Sequence, residues 1–479
     1  MSLKKQAFSG LVWSFALQFS SHGVGFIVSI ILARLLLPEE FGLIGMISVF
    51  IGIGGTLLDA GLTQSLIRSL NPDQEDYSTV FLFNLIGSVI VYFLVFLLAP
   101  LIAEFYNQKV LIDIIRVYCL IFIIKAFSAV QSTRLTKQMD FKTQMIVALP
   151  SLIISSIVGI AMAYLGYGVW SLVWSAIINA LFATIQLWFY SEWTPSFVFN
   201  MDKFKIHFRF GYKLTLSGLL DIIFSNIYQI VIGKYFSPVQ VGFYTRAETF
   251  KQLPISSISG ALHNVTYPLF ASIQDDNERL KRVYKQIMQM VVFFIAPILI
   301  FLAVLAEPTF RFLFTEKWLP SVPYFQIICF TGILYPIHAY NLNILNVKGR
   351  SDLFLKLEII KKVIIAISVI VALQFGVFAL LWSQIVISVV AFYINTHFTG
   401  KILNYNSWEQ TKDIFPIIMI AIIAGCLVFG LDYFLEVKKQ FDIIRIIAGC
   451  IIGLVTYIGL AFLLKMNLIN DFKLLILRK

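Results

Sequence analysis

The chain has 479 residues, 59% of them hydrophobic and only 13% charged, with a mean hydropathy of +0.85 and a formal net charge of +11. A soluble globular domain carries roughly 25% charged residues, so a chain this long and this apolar is an integral membrane protein. Its positive charge does not point to nucleic acid, because the Lys and Arg residues sit in short breaks between apolar runs and form no continuous basic domain.

A hydrocarbon core of roughly 30 Å needs about 20 helical residues. Read against the polar breaks, the sequence predicts about fourteen spans, near 8–33, 41–67, 78–103, 110–133, 143–166, 168–190, 209–235, 239–272, 285–306, 320–346, 353–375, 377–398, 413–435 and 441–465. The expected fold class is therefore an all-α polytopic membrane protein.

The first span follows Lys4 and Lys5, as a signal peptide would, but it is too long for one and ends without a small-residue cleavage site, so it is expected to be retained. It holds His22 and stops at "RLLLPEEFG", Arg34 to Gly42. There a cation extends to the membrane interface, and Pro38 suits the first turn of the next helix. Span two contains Asp59 near its end, with Arg68 close by in sequence. Span four contains Arg116, one turn from Asp113, and Lys125, which has no carboxylate within a turn and so favours a functional role. Gly166 and Gly168 turn the chain between spans five and six, and the polar stretch "SEWTPSFVFNMDKFKIHF", Ser191 to Phe208, is expected to be a cytoplasmic linker.

Span seven carries Asp221 with no cation nearby in sequence, and then "KYFSPVQVG", Lys234 to Gly242, repeats the first hairpin. Span eight holds Arg246, Glu248, Lys251 and His263. Arg246 and Lys251 are about 140° apart on a helix and bracket one face. Two readings stand: a cationic grip on an anionic head group, or an internal network in which Glu248 neutralises a neighbour. Span ten holds His338, and span eleven begins with Lys356, Glu358, Lys361 and Lys362. Lys361 either snorkels to the interface or faces a cleft. The isolated His22, His263 and His338 are expected to be hydrogen-bonded packing residues. Acids in a partly dry cleft can carry a proton or Na⁺. Asp221, Asp59 and Glu248 are accordingly the ion-coupling candidates, and Lys125, Arg246, Lys251 and Lys361 the candidates for binding an anionic head group.

Alternate breaks carry about 23 basic residues on one side against about 8 on the other, which predicts that side, with both termini, to be cytoplasmic. The proline, glycine and cation of the two hairpins stand 200 residues apart (Pro38 and Pro238, Gly42 and Gly242, Arg34 and Lys234). Six spans separate the copies, an even number, so the copies insert the same way up. This predicts two six-helix lobes related by a parallel repeat, with two additional C-terminal helices and a central cleft. The expected divisions are 1–190 for the first lobe, 191–208 for the linker, 209–400 for the second lobe, and 401–479 for two further spans and a cytoplasmic tail ending in Arg478 and Lys479.

Cys119, Cys329, Cys426 and Cys450 lie in apolar runs without metal-ligand spacing and are expected to be packing residues. The sequence carries no nucleophile elbow, no Walker loop and no metal constellation, which predicts neither an enzyme nor a cofactor-dependent protein, apart from coupling to H⁺ or Na⁺.

"GFYTRAETFKQLPISSISGALHNVTYPLFASIQDD", Gly242 to Asp276, resembles the second-lobe segment of bacterial polysaccharide exporters, and "ARLLLPEEFGLIGM" resembles their first hairpin. These are the Wzx-type flippases and teichuronic acid exporters of the multidrug/oligosaccharidyl-lipid/polysaccharide superfamily. The resemblance covers essentially the whole chain. It implies a flippase in the bacterial cytoplasmic membrane that moves an oligosaccharide on an undecaprenyl pyrophosphate carrier from the inner to the outer leaflet by alternating access, with basic cleft residues on its phosphates. The polymerase and glycosyltransferases of the same pathway are the implied partners beyond substrate and bilayer. Drug or cation efflux within the same superfamily would want more carboxylates than cations in the cleft, whereas here the cations are more numerous. A membrane polysaccharide polymerase or glycosyltransferase would want a large outer loop or an acidic catalytic segment, and neither is present.

Overall fold

The computed structural model describes residues 3–464 and Met466, without the side chains of 3–9, 11, 257 and 259–265. The side chains of Lys4, Lys5 and His263, and the tail with Arg478 and Lys479, lie outside the described residues. The described chain is helical: α1 (Leu3–Leu35), α2 (Pro38–Asp59), α3 (Leu62–Arg68), α4 (Gln74–Tyr106), α5 (Leu111–Tyr118), α6 (Leu120–Lys137), α7 (Phe141–Tyr164), α8 (Trp170–Tyr190), α9 (Met201–Ser225), α10 (Ile227–Tyr235), α11 (Pro238–Ser272), α12 (Asn277–Val304), α13 (Ala306–Phe314), α14 (Ser321–Val347), α15 (Ser351–Leu373), α16 (Val377–Leu403), α17 (Ser407–Val437) and α18 (Asp442–Leu463).

Each of the fourteen expected spans corresponds to one helix or to a broken pair. Span two is α2 with α3, span four is α5 with α6, and span seven is α9 with α10, bent by 50°. Among the described residues ten helices are long and apolar enough to cross a membrane, and the bent pair makes eleven. Spans four, eight and eleven fall outside that set. These are the spans that hold Lys125, then Arg246 and Lys251, then Lys361.

Packing divides the chain into two compact units, Met1–Gly242 and Phe243–Lys479. The linker is shorter than expected, because α9 begins at Met201, and α9 and α10 pack with the first unit rather than the second. Trp193 explains why residues 191–200 are ordered. Its indole donates to Gln74 at 2.6 Å, and its ring enters a core with Leu62, Leu66, Phe81 and Val130. The Asn200 amide then donates to Thr79 at 3.0 Å.

In the first unit the proline turn sets up α2. Pro38 occupies the first turn, where a missing N–H costs nothing, and the Glu40 carboxylate accepts from the Leu37 amide at 2.6 Å. α11 starts the same way at Pro238, where the Ser237 hydroxyl accepts from the Gln240 amide at 3.3 Å. The two copies touch each other. A Cβ at Gly42 would fall 1.7 Å from the Pro238 carbonyl oxygen, and one at Gly242 would fall 1.9 Å from the Pro38 carbonyl oxygen. Only glycine permits that mutual backbone contact.

Further correspondences stand 197 to 211 residues apart. Asp73 caps α4 and Asp276 caps α12, while Pro100 and Pro297 lie inside those helices. Lys137, ending α6, donates to the Leu66 and Ile67 carbonyls at the end of α3. Lys348, following α14, donates to the Gln274 carbonyl, just past α11, and to the Asn277 side chain at the start of α12.

In the second unit α12 packs on α14 and α17, and α17 packs on α18. Arg445 of α18, 2% exposed, holds Asp432 of α17 with two bonds of 2.8 and 2.9 Å, a fully paired buried charge. Arg311 of α13 reaches Asp442 at the start of α18 at 3.3 Å.

Candidate functional site

A cavity of about 420 Å³ opens within the first unit between α1, α2, α5, α6, α7 and α8. Small residues bring α7 and α8 together there: a Cβ at Gly159 would lie 2.9 Å from that of Ser175. The Ser175 hydroxyl donates to the Ser155 carbonyl at 3.0 Å, and the Asn179 amide donates to the Ser155 hydroxyl at 3.2 Å. With Ser29 and Ser156 these residues form a hydroxyl-rich wall.

Among the described residues, Lys125 of α6 is the one charged side chain lining this cavity, and it is exposed. Its backbone is fixed from α8. Thr184 donates to the neighbouring Ile124 carbonyl at 3.1 Å and is bonded to Ser128 at 3.0 Å, while Ser128 donates to the Lys125 carbonyl at 3.2 Å. Among the described residues no carboxylate pairs with Lys125. An ammonium facing hydroxyls in a cavity without an acid is a place for an anion carrying hydroxyl groups.

The second unit holds the other candidate cations. Arg246 is 5% exposed, with its guanidinium 4.9 Å from the Trp318 ring and 5.0 Å from that of Phe314. Lys251, one and a half turns on, is buried and ion-paired to Glu248 at 2.7 Å. Of the two readings open for this helix, Lys251 and Glu248 form the internal pair. Lys361 is paired in the same way with Glu358 and stands within electrostatic reach of His338. His338 also meets Ser388 at 3.3 Å and Asn395 at 3.4 Å, as a packing histidine would.

The candidate acids are dispersed: Asp59 ends α2, Asp221 lies on α9 and Glu248 on α11. Asp59 accepts from the Thr63 amide at 3.2 Å and from its hydroxyl at 2.9 Å, starting α3 after a break at Ala60 and Gly61, which both have positive φ. Arg68, expected near it, lies over Phe210 at 4.6 Å. Arg116, expected to meet Asp113, lies over Phe96 at 4.3 Å. Asp221 is exposed on α9, and Glu248 belongs to the Lys251 pair. Lys125 therefore stands in the first unit, apart in sequence and in packing unit from Arg246, Lys251 and Lys361.

Sequence reasoning missed the serine wall and Trp318. The wall left one signal, serines and an asparagine recurring four apart in α7 and α8: Ser151 and Ser155, then Ser171, Ser175 and Asn179.

A family model described as "Polysaccharide biosynthesis protein" matches residues 31–323. The teichuronic acid biosynthesis protein TuaB of Bacillus subtilis is 25% identical over 379 residues, covering 78% of each chain. The succinoglycan biosynthesis transport protein ExoT of Rhizobium meliloti is 25% identical over 469 residues, covering 96% of this chain and 93% of that one. Among solved structures, the lipid II flippase MurJ in an inward closed conformation superimposes with a TM-score of 0.77, at 15% identity, over 96% of this chain and all of that one.

Proposed function

The chain belongs to the polysaccharide biosynthesis protein family, and from that premise we propose how it works. It is a multi-pass membrane transporter, not an enzyme, and it flips lipid-linked oligosaccharide for surface polysaccharide assembly. We take the carrier to be undecaprenyl pyrophosphate, moved from the inner to the outer leaflet of the cytoplasmic membrane by alternating access of two six-span lobes. Both termini are cytoplasmic in this reading, and a polymerase and glycosyltransferases work before and after it.

Lys125 carries the proposal as the one charge, among the described residues, on a hydroxyl-lined cavity. A diphosphate and a glycan cannot enter hydrocarbon without such shelter. The Lys125 ammonium would take a phosphate oxygen while serine and asparagine groups meet sugar hydroxyls, and the polyprenyl tail would stay in lipid. In the second unit Arg246, Lys251 and Lys361 are the candidates for an anionic head group, the two lysines once Glu248 and Glu358 release them. Asp221 is the preferred carrier of the coupling H⁺ or Na⁺, with Asp59 and Glu248 as lesser candidates. Drug efflux is less well supported, because a cationic cargo has no acid to meet in this cavity.

The test is a deletion strain complemented with wild-type protein or with Lys125→Gln, scored for surface glycan and for carrier-linked glycan on each face of the membrane. Complete units should accumulate on the cytoplasmic face in the deletion and the variant. Full surface output from Lys125→Gln would remove Lys125 from the site. Single units accumulating outside the cell would instead mark a polymerase.

A further inference from the structure

We propose that the first half of α9 is a binding surface for anionic phospholipid head groups, separate from the cavity at Lys125. Lys205, Arg209 and Lys213 stand four residues apart, a stripe advancing about 6 Å per step along a helix. All three are exposed. The opposite face is fixed to the protein: the Phe204 ring packs at a tilt against Phe83 at 5.0 Å, His207 is 3% exposed, and a Cβ at Gly211 would fall 2.2 Å from the Ala60 carbonyl oxygen.

Apolar side chains stand exposed beside the stripe, with Ile206 68% exposed and Phe208 and Tyr212 near 40%. Cations beside exposed aromatic and aliphatic groups fit the boundary between phosphates and acyl chains. Asp202 approaches Lys205 at 3.6 Å, but both side chains are largely in solvent, so that pair neutralises little.

The surface is ordered before any ligand arrives. The Asn200 side chain caps α9 by accepting from the Asp202 and Lys203 amides at 3.0 and 3.3 Å. Lys203 is ion-paired with Asp73 and Asp76, and His207 bonds both Asp76 at 3.1 Å and Ser65 at 2.8 Å. Binding therefore costs little ordering entropy.

The spacing decides between possible phosphate ligands. Three cations strung over about 12 Å do not converge on one point, as a grip on a single diphosphate requires. They match a row of separate head groups. With the orientation given by the charge bias, that row belongs to the cytoplasmic leaflet.

The experiment places the full-length protein in nanodiscs of phosphatidylcholine alone, or with one third phosphatidylglycerol, and reads co-retained lipid by native mass spectrometry together with thermal melting. Wild type should retain phosphatidylglycerol preferentially and melt higher in the anionic discs, with both effects fading in high salt. Lys205→Gln/Arg209→Gln/Lys213→Gln should lose the preference, by about fivefold per cation removed, and should melt like wild type in phosphatidylcholine. If the triple variant does not fold, Arg209→Gln and Arg209→Glu give the same reading with graded loss. Unchanged retention in the stripe variants, or no preference in wild type, overturns the proposal. So does loss of preference in Lys125→Gln with the stripe variants unaffected, which would put the lipid in the cavity. Lys125→Gln failing to lower export would sink only the flippase site and leave this surface standing.

Discussion

A lysine inside a membrane helix is costly unless it meets a partner or water. Lys251 and Lys125 meet that demand in opposite ways. Lys251 is buried and closed on Glu248 at 2.7 Å, whereas Lys125 faces a cavity whose wall offers hydroxyls and no acid. Lys125→Gln keeps polarity and most of the length and removes the charge. It should lower export about tenfold, the scale of one charge-assisted hydrogen bond, with unchanged protein level and melting temperature; Lys125→Arg should keep part of the export. Glu248→Gln should lower the melting temperature, because it strands the Lys251 ammonium, and adding Lys251→Met should restore it. Additive losses in the double variant would deny that the two side chains are coupled. At this scale the sequence was legible where the partner is local. Glu248 stands three residues before Lys251, and Lys125 has no acid within a turn. Trp318 and Phe314 over Arg246 were not legible, since they come about seventy residues later. Nor were the cavity serines, each of which reads as an ordinary helix residue bonding its own backbone, as Ser155 and Ser156 do to Leu152.

At the scale of elements, breaks and caps decide which helices lie together. A helix or a broken pair stands at each of the fourteen expected spans, because a period of about 20 largely apolar residues survives even where charges interrupt it. The boundary between units was less legible. Residues 191–208 look like a polar linker, yet Trp193 buries its ring, and α9 is tied to α3 and α4 through Lys203 and His207. That tie has a defined pH response. The Lys203 ammonium beside Asp73 holds its carboxyl well below the usual range, at about 2. A depressed carboxylate stabilises the fold fully above its unfolded value, near 3.9, and that contribution is lost as pH falls toward 2. Hydrogen exchange in residues 191–200 should therefore gain no Asp73-dependent change between pH 5 and 8, while Lys203→Met should raise it across that range. Equal protection in Lys203→Met would show that Trp193 alone holds the segment.

For the whole molecule, the duplication is visible as repeated devices rather than repeated letters. Proline turns open α2 and α11, aspartates cap α4 and α12, and Lys137 and Lys348 each close the end of an earlier helix. Gly42→Val or Gly242→Val should each impair membrane insertion or melting by about 1–3 kcal/mol, the usual range for overpacking, and the double variant should be little worse than either alone, because both disrupt one contact. Melting of the purified proteins reads this directly. A simple sum of the two losses would mean that the glycines act independently. The contact is reciprocal: Gly42 meets Pro238 while Gly242 meets Pro38. A side chain at either glycine therefore opens both halves of the clasp at once, and neither turn can drift in sequence without the other.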